Sequence, residues 1–222
     1  MKSPFHRWLR EYRGTLLFII GVFLFRSAIA DWNDVPTGSM LPTIREGDRL
    51  LVDKLAYDLR VPFTHLSLLR LAEPQRGDVV VFESERAGKR LVKRVIGLPG
   101  DRVELMRDVL YLNGQRIGYL PLARDGVTSD WVEQLAGHAH AVRVTDARSP
   151  LDSFGPVAVP AGHLLVLGDN RDNSADSRVI GFVPRHEIVG RAKRVLFSLD
   201  YDRYLLPRGD RFLRPLDGFN QG

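Results

Sequence analysis

Cysteine is absent from the 222 residues. That excludes a disulfide framework, a thiolate metal site and a cysteine nucleophile, and leaves the redox compartment open. Lysine is scarce: only Lys2, Lys54, Lys89, Lys93 and Lys193 occur among 32 basic residues. The net charge of +5 is therefore an arginine excess, dispersed along the chain. With no arginine block, zinc finger or stacked-aromatic motif, a nucleic-acid partner is not expected. The chain has no His-Glu-x-x-His helix and no phosphate-binding glycine loop, and no Gly-x-Ser-x-Gly elbow. The polar loop Gly168–Arg178 lacks the glycine and the bidentate glutamate of a calcium loop. His138 and His140 lack a third ligand, so no metal and no cofactor are expected. There is one apolar stretch of membrane length, and no internal repeat or low-complexity run.

That apolar stretch is at the N-terminus. Lys2, Arg7, Arg10 and Arg13 precede Gly14–Phe25, Arg26 interrupts, Ala28-Ile29-Ala30 follows, and the acids Asp31 and Asp34 come next. Positive charge before the apolar run and not after it predicts a cytoplasmic N-terminus. Two readings compete: a retained span with Arg26 snorkelling to the far headgroups, or a signal peptide cut after Ala30. Arg26 and the nearness of Ser39 to such a cut favour the anchor. The expected organisation is a basic segment over 1–13, a transmembrane anchor over 14–30, an exported domain over 31–199 with an inserted lobe at 119–160, and a tail at 200–222 lying loosely on the surface.

The exported part reads as mostly β. Strands are expected at Asp48–Leu55, Val79–Phe82, Lys89–Ile96, Arg102–Leu105, Val109–Leu112, His163–Leu167 and Ile188–Phe197, with a hairpin turn at Asn113-Gly114. The continuous apolar run Val79–Phe82, launched by the turn Arg76-Gly77-Asp78, suits a buried strand. Pro62–Glu73 is expected to be a connection with room for a short helix.

Chemistry concentrates on Lys93 and Ser39. Lys93 sits inside Leu91-Val92-Lys93-Arg94-Val95-Ile96, where lost hydration disfavours the charged amine. Lowering its pKa from ~10.4 to ~8 requires about 3 kcal/mol, which burial supplies. Its bland alternative is an edge-strand lysine in solvent. Lys89, near a turn, is expected to stay hydrated, and Lys54, beside Asp53, to stay charged. Ser39 follows Gly38 between Pro36 and Pro42, a stiffened loop; its bland alternative is a turn serine. Paired, they form a Ser/Lys dyad, a variant of the serine triad. The loop Gly168–Arg178 reads either as a self-bonded surface loop or as a support, with Ser174 steering the amine and Asp176 paired to Arg178.

In order along the chain, Pro36–Thr43, Arg76-Gly77-Asp78 with its valine run, Lys93–Asp101, and Gly168–Arg178 with Gly181-Phe182-Val183-Pro184 resemble the type I signal peptidases of bacteria. The resemblance runs from about Arg26 to Phe197. It implies a membrane-anchored serine endopeptidase with a signal-peptidase-like β core, removing signal peptides after small-x-small sites. Ser39 would be the nucleophile and Lys93 the general base, with the Thr37 hydroxyl and Ser39 N–H as oxyanion hole and Ser174, Asp176 and Arg178 in support. The substrate would add as a strand between the Ser39 loop and Val79–Phe82, on pockets formed by Val35, Pro36, Met40, Ile44, Leu50, Val79, Val80, Leu91 and Val92. Preproteins and the lipid bilayer would be the partners, and the state a monomer. The place would be the bacterial cytoplasmic membrane, crossed once, with the catalytic domain on the outer face. Thr37 departs from the usual serine, and Asp31–Val35 is more polar than the family's approach to the nucleophile. The alternatives are a self-cleaving repressor-type regulator, a specialised peptidase for one pilus or conjugation substrate, and a silent anchored domain that binds exported chains.

Overall fold

The computed structural model describes residues 12–19, 21–22, 30–61, 64 and 66–216. Residues 12–19 and 21–22 are helical, and no helix among the described residues is long and apolar enough to cross a membrane. The expected anchor over 14–30 falls in part, and the basic segment over 1–13 almost wholly, outside the described residues.

From Ala30 onward the chain is mostly β. The strands are β1 (Ala30–Asp34), β2 (Asp48–Asp53), β3 (Asp58–Arg60), β4 (Ser67–Arg70), β5 (Val79–Ser84), β6 (Lys89–Gly97), β7 (Arg102–Met106), β8 (Val109–Leu112), β9 (Gln115–Arg116), β10 (Gly118–Asp125), β11 (Thr128–Leu135), β12 (His138–Thr145), β13 (Phe154–Ala158), β14 (His163–Leu167), β15 (Val183–Pro184), β16 (Ile188–Asp200) and β17 (Leu206–Pro207). The main sheet runs β1-β2-β16-β5-β6-β14-β15, with β17 beside β16.

This sheet is packed on both faces, which explains the unbroken apolar run in β5. Val79 and Val81 join a core with Val35, Met40, Ile44, Leu50 and Val52. Val80 and Phe82 point the other way, into a core with Tyr57, Val95, Val166 and Ile188. A strand buried on both sides has no polar face to alternate with. The turn ahead of β5 needs Gly77, whose φ is +89°, a backbone region open to glycine at no steric penalty.

The main sheet ends at β1 and at the two-residue β15, and among the described residues part of β6 is open as well. β1 pairs β2 alone. β6 pairs β5 along its length, but β14 joins its other edge only from Arg94 onward. Arg90 of β6 nevertheless donates a 2.8 Å hydrogen bond to Asn33 Oδ1 of β1. The sheet therefore curls until β1 and the first half of β6 face each other across a seam.

Three expectations are corrected. Pro62–Glu73 holds no helix among its described residues: β4 pairs with β3 through Leu59↔Leu69, and the leucines that suggested a helix face stand exposed on the hairpin. The 119–160 lobe is not irregular. β10, β11 and β12 form a three-stranded sheet of their own, and β13 leaves the lobe to pair with β7. The tail is not loose up to Leu216. Arg211 is fully buried and Leu216 is core, because the Arg211 guanidinium finds the Asp48 carboxylate inside the fold. Residues 217–222 lie outside the described residues.

Candidate active site

Ser39 lies in a single 3₁₀ turn, Gly38–Met40, between β1 and β2. Met40 and Val35 on either side are buried in the core, which fixes the turn to the sheet and leaves Ser39 itself part-exposed. Thr37 caps the turn in an extended conformation with no side-chain capping bond, and is exposed.

Lys93 reaches this turn from β6. Its Nζ is 2.7 Å from Ser39 Oγ and 2.9 Å from the Val92 carbonyl. The residue is only 2 % exposed. Burial lowers the amine's pKa to about 8, the charges of Asp176 and Asp169 oppose that shift, and Lys89 and Arg178 add to it. Lys93 therefore exchanges between charged and neutral forms near neutrality. The other described lysines are placed differently: Lys89 is exposed, Lys54 lies 3.4 Å from Asp31, and Lys193 pairs Asp53.

The loop after β14 holds the serine turn from behind. The Asn170 amide donates to the Gly38 carbonyl at 3.0 Å, and its backbone N–H donates to the Ser39 carbonyl at 3.1 Å. Asp176 accepts from the Gly168 N–H at 2.9 Å and takes two bonds from the Arg178 guanidinium, at 2.9 and 2.7 Å, and one from the Arg178 N–H at 3.2 Å. Burial alone would raise the Asp176 pKa, but Arg178 outweighs it and the carboxyl is held below the usual range. Arg178 also ties the loop together through the Arg171 and Leu151 carbonyls. Arg94, next to Lys93, grips Asp169 at 2.8 and 2.7 Å. The lobe joins in: Arg171 donates to the fully buried Glu133 of β11 at 2.8 Å, and Arg143 of β12 exchanges backbone bonds with Asp169 and Arg171.

Residues 7–197 match the family described as signal peptidase, peptidase S26. The chain belongs to that family. A signal peptidase I of Pseudomonas aeruginosa is 36% identical over 199 residues, 82% of this chain and 69% of that one. A signal peptidase I of Leptolyngbya laminosa is 33% identical, covering 86% of this chain and 78% of that one. A solved signal peptidase I from Enterococcus faecalis V583 shares 35% identity over 55% of this chain and 97% of that chain, with a TM-score of 0.35. The chain is a serine endopeptidase that removes signal peptides.

The signal peptidase geometry sorts the residues expected to bind substrate. Val35, Met40, Ile44, Leu50, Val79 and Val92 share one apolar cluster next to Ser39. Val80 and Leu91 do not join it. Both belong to the cluster on the opposite face, as the two-residue period of a strand requires. Pro36 is exposed beside the turn. The expected place of the substrate strand is also corrected. β5 is paired by β6 from Val79 to Ser84 and by β16 from Val80 to Phe82, so Val80–Phe82 has no free backbone to offer. The open edge is that of Lys89–Val92 in β6.

Ser174 is buried, and its hydroxyl makes no hydrogen bond to Lys93 or to any other described residue. His138 and His140 do not meet: His138 is exposed, and His140 is buried with Nε2 3.3 Å from Glu133. The sequence alone assigns no role to Asn170, Gly168 or Arg94, although all three lie inside its recognisable motifs. For Gly168 and Asn170 the signal is the run Gly168-Asp169-Asn170, which only a fold can interpret.

Gly168 gives a direct test of this packing. A Cβ there would lie 2.2 Å from Ser174 Oγ and 2.5 Å from the Ser39 carbonyl oxygen. Gly168→Ala should destabilise by about 1–3 kcal/mol, the usual range for overpacking, and should lower kcat more than it raises KM because Ser39 is displaced. Unfolding curves and steady-state cleavage measure the two effects; unchanged kcat would mean the turn tolerates the push.

Proposed function

We propose that Ser39 is the nucleophile and Lys93 the general base of this signal peptidase. The observation carrying this reading is the 2.7 Å Nζ–Oγ contact to an amine that burial keeps near its titration point. A hydrogen bond of that length is the path for proton transfer.

The neutral amine takes the Oγ proton as Oγ bonds to the carbonyl carbon before the scissile bond. The carbonyl π electrons move to oxygen, where the exposed Thr37 hydroxyl and the Ser39 N–H receive the negative charge. Preorganised donors of this kind are each worth roughly 3 kcal/mol. Collapse breaks the C–N bond, and the lysine ammonium protonates the departing amine. The lysine amine, neutral again, then takes a proton from water as its oxygen attacks the acyl carbon; collapse breaks the acyl C–Oγ bond, and the lysine ammonium returns the proton to Ser39 Oγ. Asp176 and Arg178 keep the Gly168–Arg178 loop in place, with Ser174 between Gly168 and Asp176.

The substrate lies in the seam between β1 and the open edge of β6, added as a strand. Val35, Pro36, Met40 and Val92 shape the small pockets at −1 and −3 above a floor of Ile44, Leu50 and Val79. The N-terminal apolar segment over 14–30 anchors the enzyme once in the bacterial cytoplasmic membrane, with 1–13 inside and the catalytic domain, 31–199 with its tail, on the outer face. Preproteins and the bilayer are its partners, and it acts as a monomer.

The test is cleavage of a secretory preprotein in detergent, with mass spectrometry locating the cut. Wild type is expected to cut after an Ala-x-Ala site and Ser39→Ala not at all. Lys93→Met should lose about 10²–10⁴-fold or more in kcat, the range for a positioned general base. Full activity of Lys93→Met would overturn the dyad.

A further inference from the structure

The seam between β1 and β6 is bridged at one place. Arg90 donates to Asn33 Oδ1 at 2.8 Å, lies 3.8 Å from Asp31, and also pairs with Glu83 on the neighbouring strand. A guanidinium has donors only, so the Asn33 side chain must turn its oxygen to Arg90 and its Nδ2 away. That Nδ2 is buried and has no hydrogen-bond partner among the described residues. A buried amide donor left unpartnered is rare in folded proteins, and here it stands beside an edge strand whose own backbone is also unpaired.

We propose that Arg90 and Asn33 form an outer subsite of the peptide cleft. In it the Asn33 Nδ2 donates to a backbone carbonyl of the signal peptide beyond the −3 residue, and Arg90 holds the amide in that orientation. This rests on the Ser39–Lys93 reading given above.

Position fixes the register. Arg90 precedes Lys93 by three residues, about 10 Å along an extended strand. Both β1 and β6 run toward the dyad, and Val35 and Val92 stand between it and the Arg90–Asn33 pair. With the −1 and −3 side chains over those two valines, the pair faces −4 or −5. A main-chain carbonyl is present in every signal peptide whatever its sequence, so the subsite adds affinity without demanding a side chain.

The experiment compares two synthetic peptides of one cleavable sequence, one spanning −6 to +3 and one spanning −3 to +3, with the full chain in detergent. Asn33→Asp keeps an acceptor for Arg90 and removes the donor; Arg90→Ala removes the holder; Arg90→Lys restores a donor to Asn33. On the long peptide, Asn33→Asp and Arg90→Ala should each raise KM about tenfold, equivalent to about 1.4 kcal/mol, with kcat within about twofold, and Arg90→Lys should recover part of the loss. On the short peptide the penalty should vanish, because that peptide ends before the pair. An equal penalty on both peptides would make the pair a structural tie and overturn the proposal, as would no penalty on either. If Arg90→Ala fails to fold, the Asn33→Asp comparison decides alone. Wild type cleaving neither peptide would instead overturn the dyad reading.

Discussion

Cleavage of a fixed peptide by the wild-type chain should fall about tenfold for each pH unit below about 8, and level off above it. As the proposed general base, Lys93 works as the free amine. Burial lowers its pKa to about 8, against the pull of Asp176 and Asp169, so at pH 6 only about one molecule in a hundred holds the base neutral. The profile of kcat/KM against pH measures this directly. A limb near pH 5, or none, would mean that Lys93 is not the titrating group. The same shift has a stability counterpart with a defined sign. The folded pKa lies below the ordinary lysine value of 10.5, so between about pH 8 and 10.5 the unfolded chain binds more protons, and stability rises with pH through that window. Below it the buried ammonium destabilises the fold by about 3 kcal/mol relative to the neutral amine. Lys93→Met escapes that penalty. It should be the more stable protein at pH 7 while being the less active one, and its advantage should shrink as the pH climbs past 8. Urea unfolding of both proteins across the window reads the change.

Ser39, Lys93, Asp176 and Arg178 are legible in the sequence because each combines a residue type with a local setting that favours it. Lysine within an apolar strand invites desolvation, and serine between prolines invites a fixed turn. The run Val79–Phe82 is equally readable, since a short β-branched apolar run launched from a turn suits a strand covered on both faces. What stays hidden depends on which face or which distant partner a residue meets. Val80 and Leu91 resemble pocket residues by composition, but the two-residue alternation turns them into the opposite core. The leucines around β4 carry no period that separates a helix face from an exposed hairpin. The lobe reads as irregular because its polar positions are satisfied across sheets: Glu133, an acid in mid-strand, takes Arg171 from the loop behind Ser39. Asn170 gives no hint either, because its two bonds go to backbone carbonyls of a turn far away in the chain.

The tail offers the largest stability prediction. Arg211 and Asp48 have fully buried side chains that pair with each other. Arg211 Nε donates to Asp48 Oδ1 at 2.8 Å, and Nη2 donates to the Thr43 carbonyl at 3.0 Å. Asp48 opens β2, and its other oxygen also accepts the Arg45 N–H at 2.9 Å. Arg211→Ala would leave that carboxylate in the dry interior with its countercharge gone, a change that typically destabilises by about 3–5 kcal/mol. The loss should appear in urea as a lower midpoint at unchanged slope. Removing both charges should do less harm than removing one. Arg211→Met with Asp48→Asn leaves no buried charge, so the double variant should be more stable than Arg211→Ala despite carrying two substitutions. Activity should follow stability here, because Thr43 and Asp48 end the short segment that begins at Ser39. A midpoint for Arg211→Ala within about 1 kcal/mol of wild type would mean that water reaches Asp48, and that the tail merely covers the sheet. The expected result makes the last described residues part of what holds the Ser39 loop closed, although they lie farthest from it in sequence.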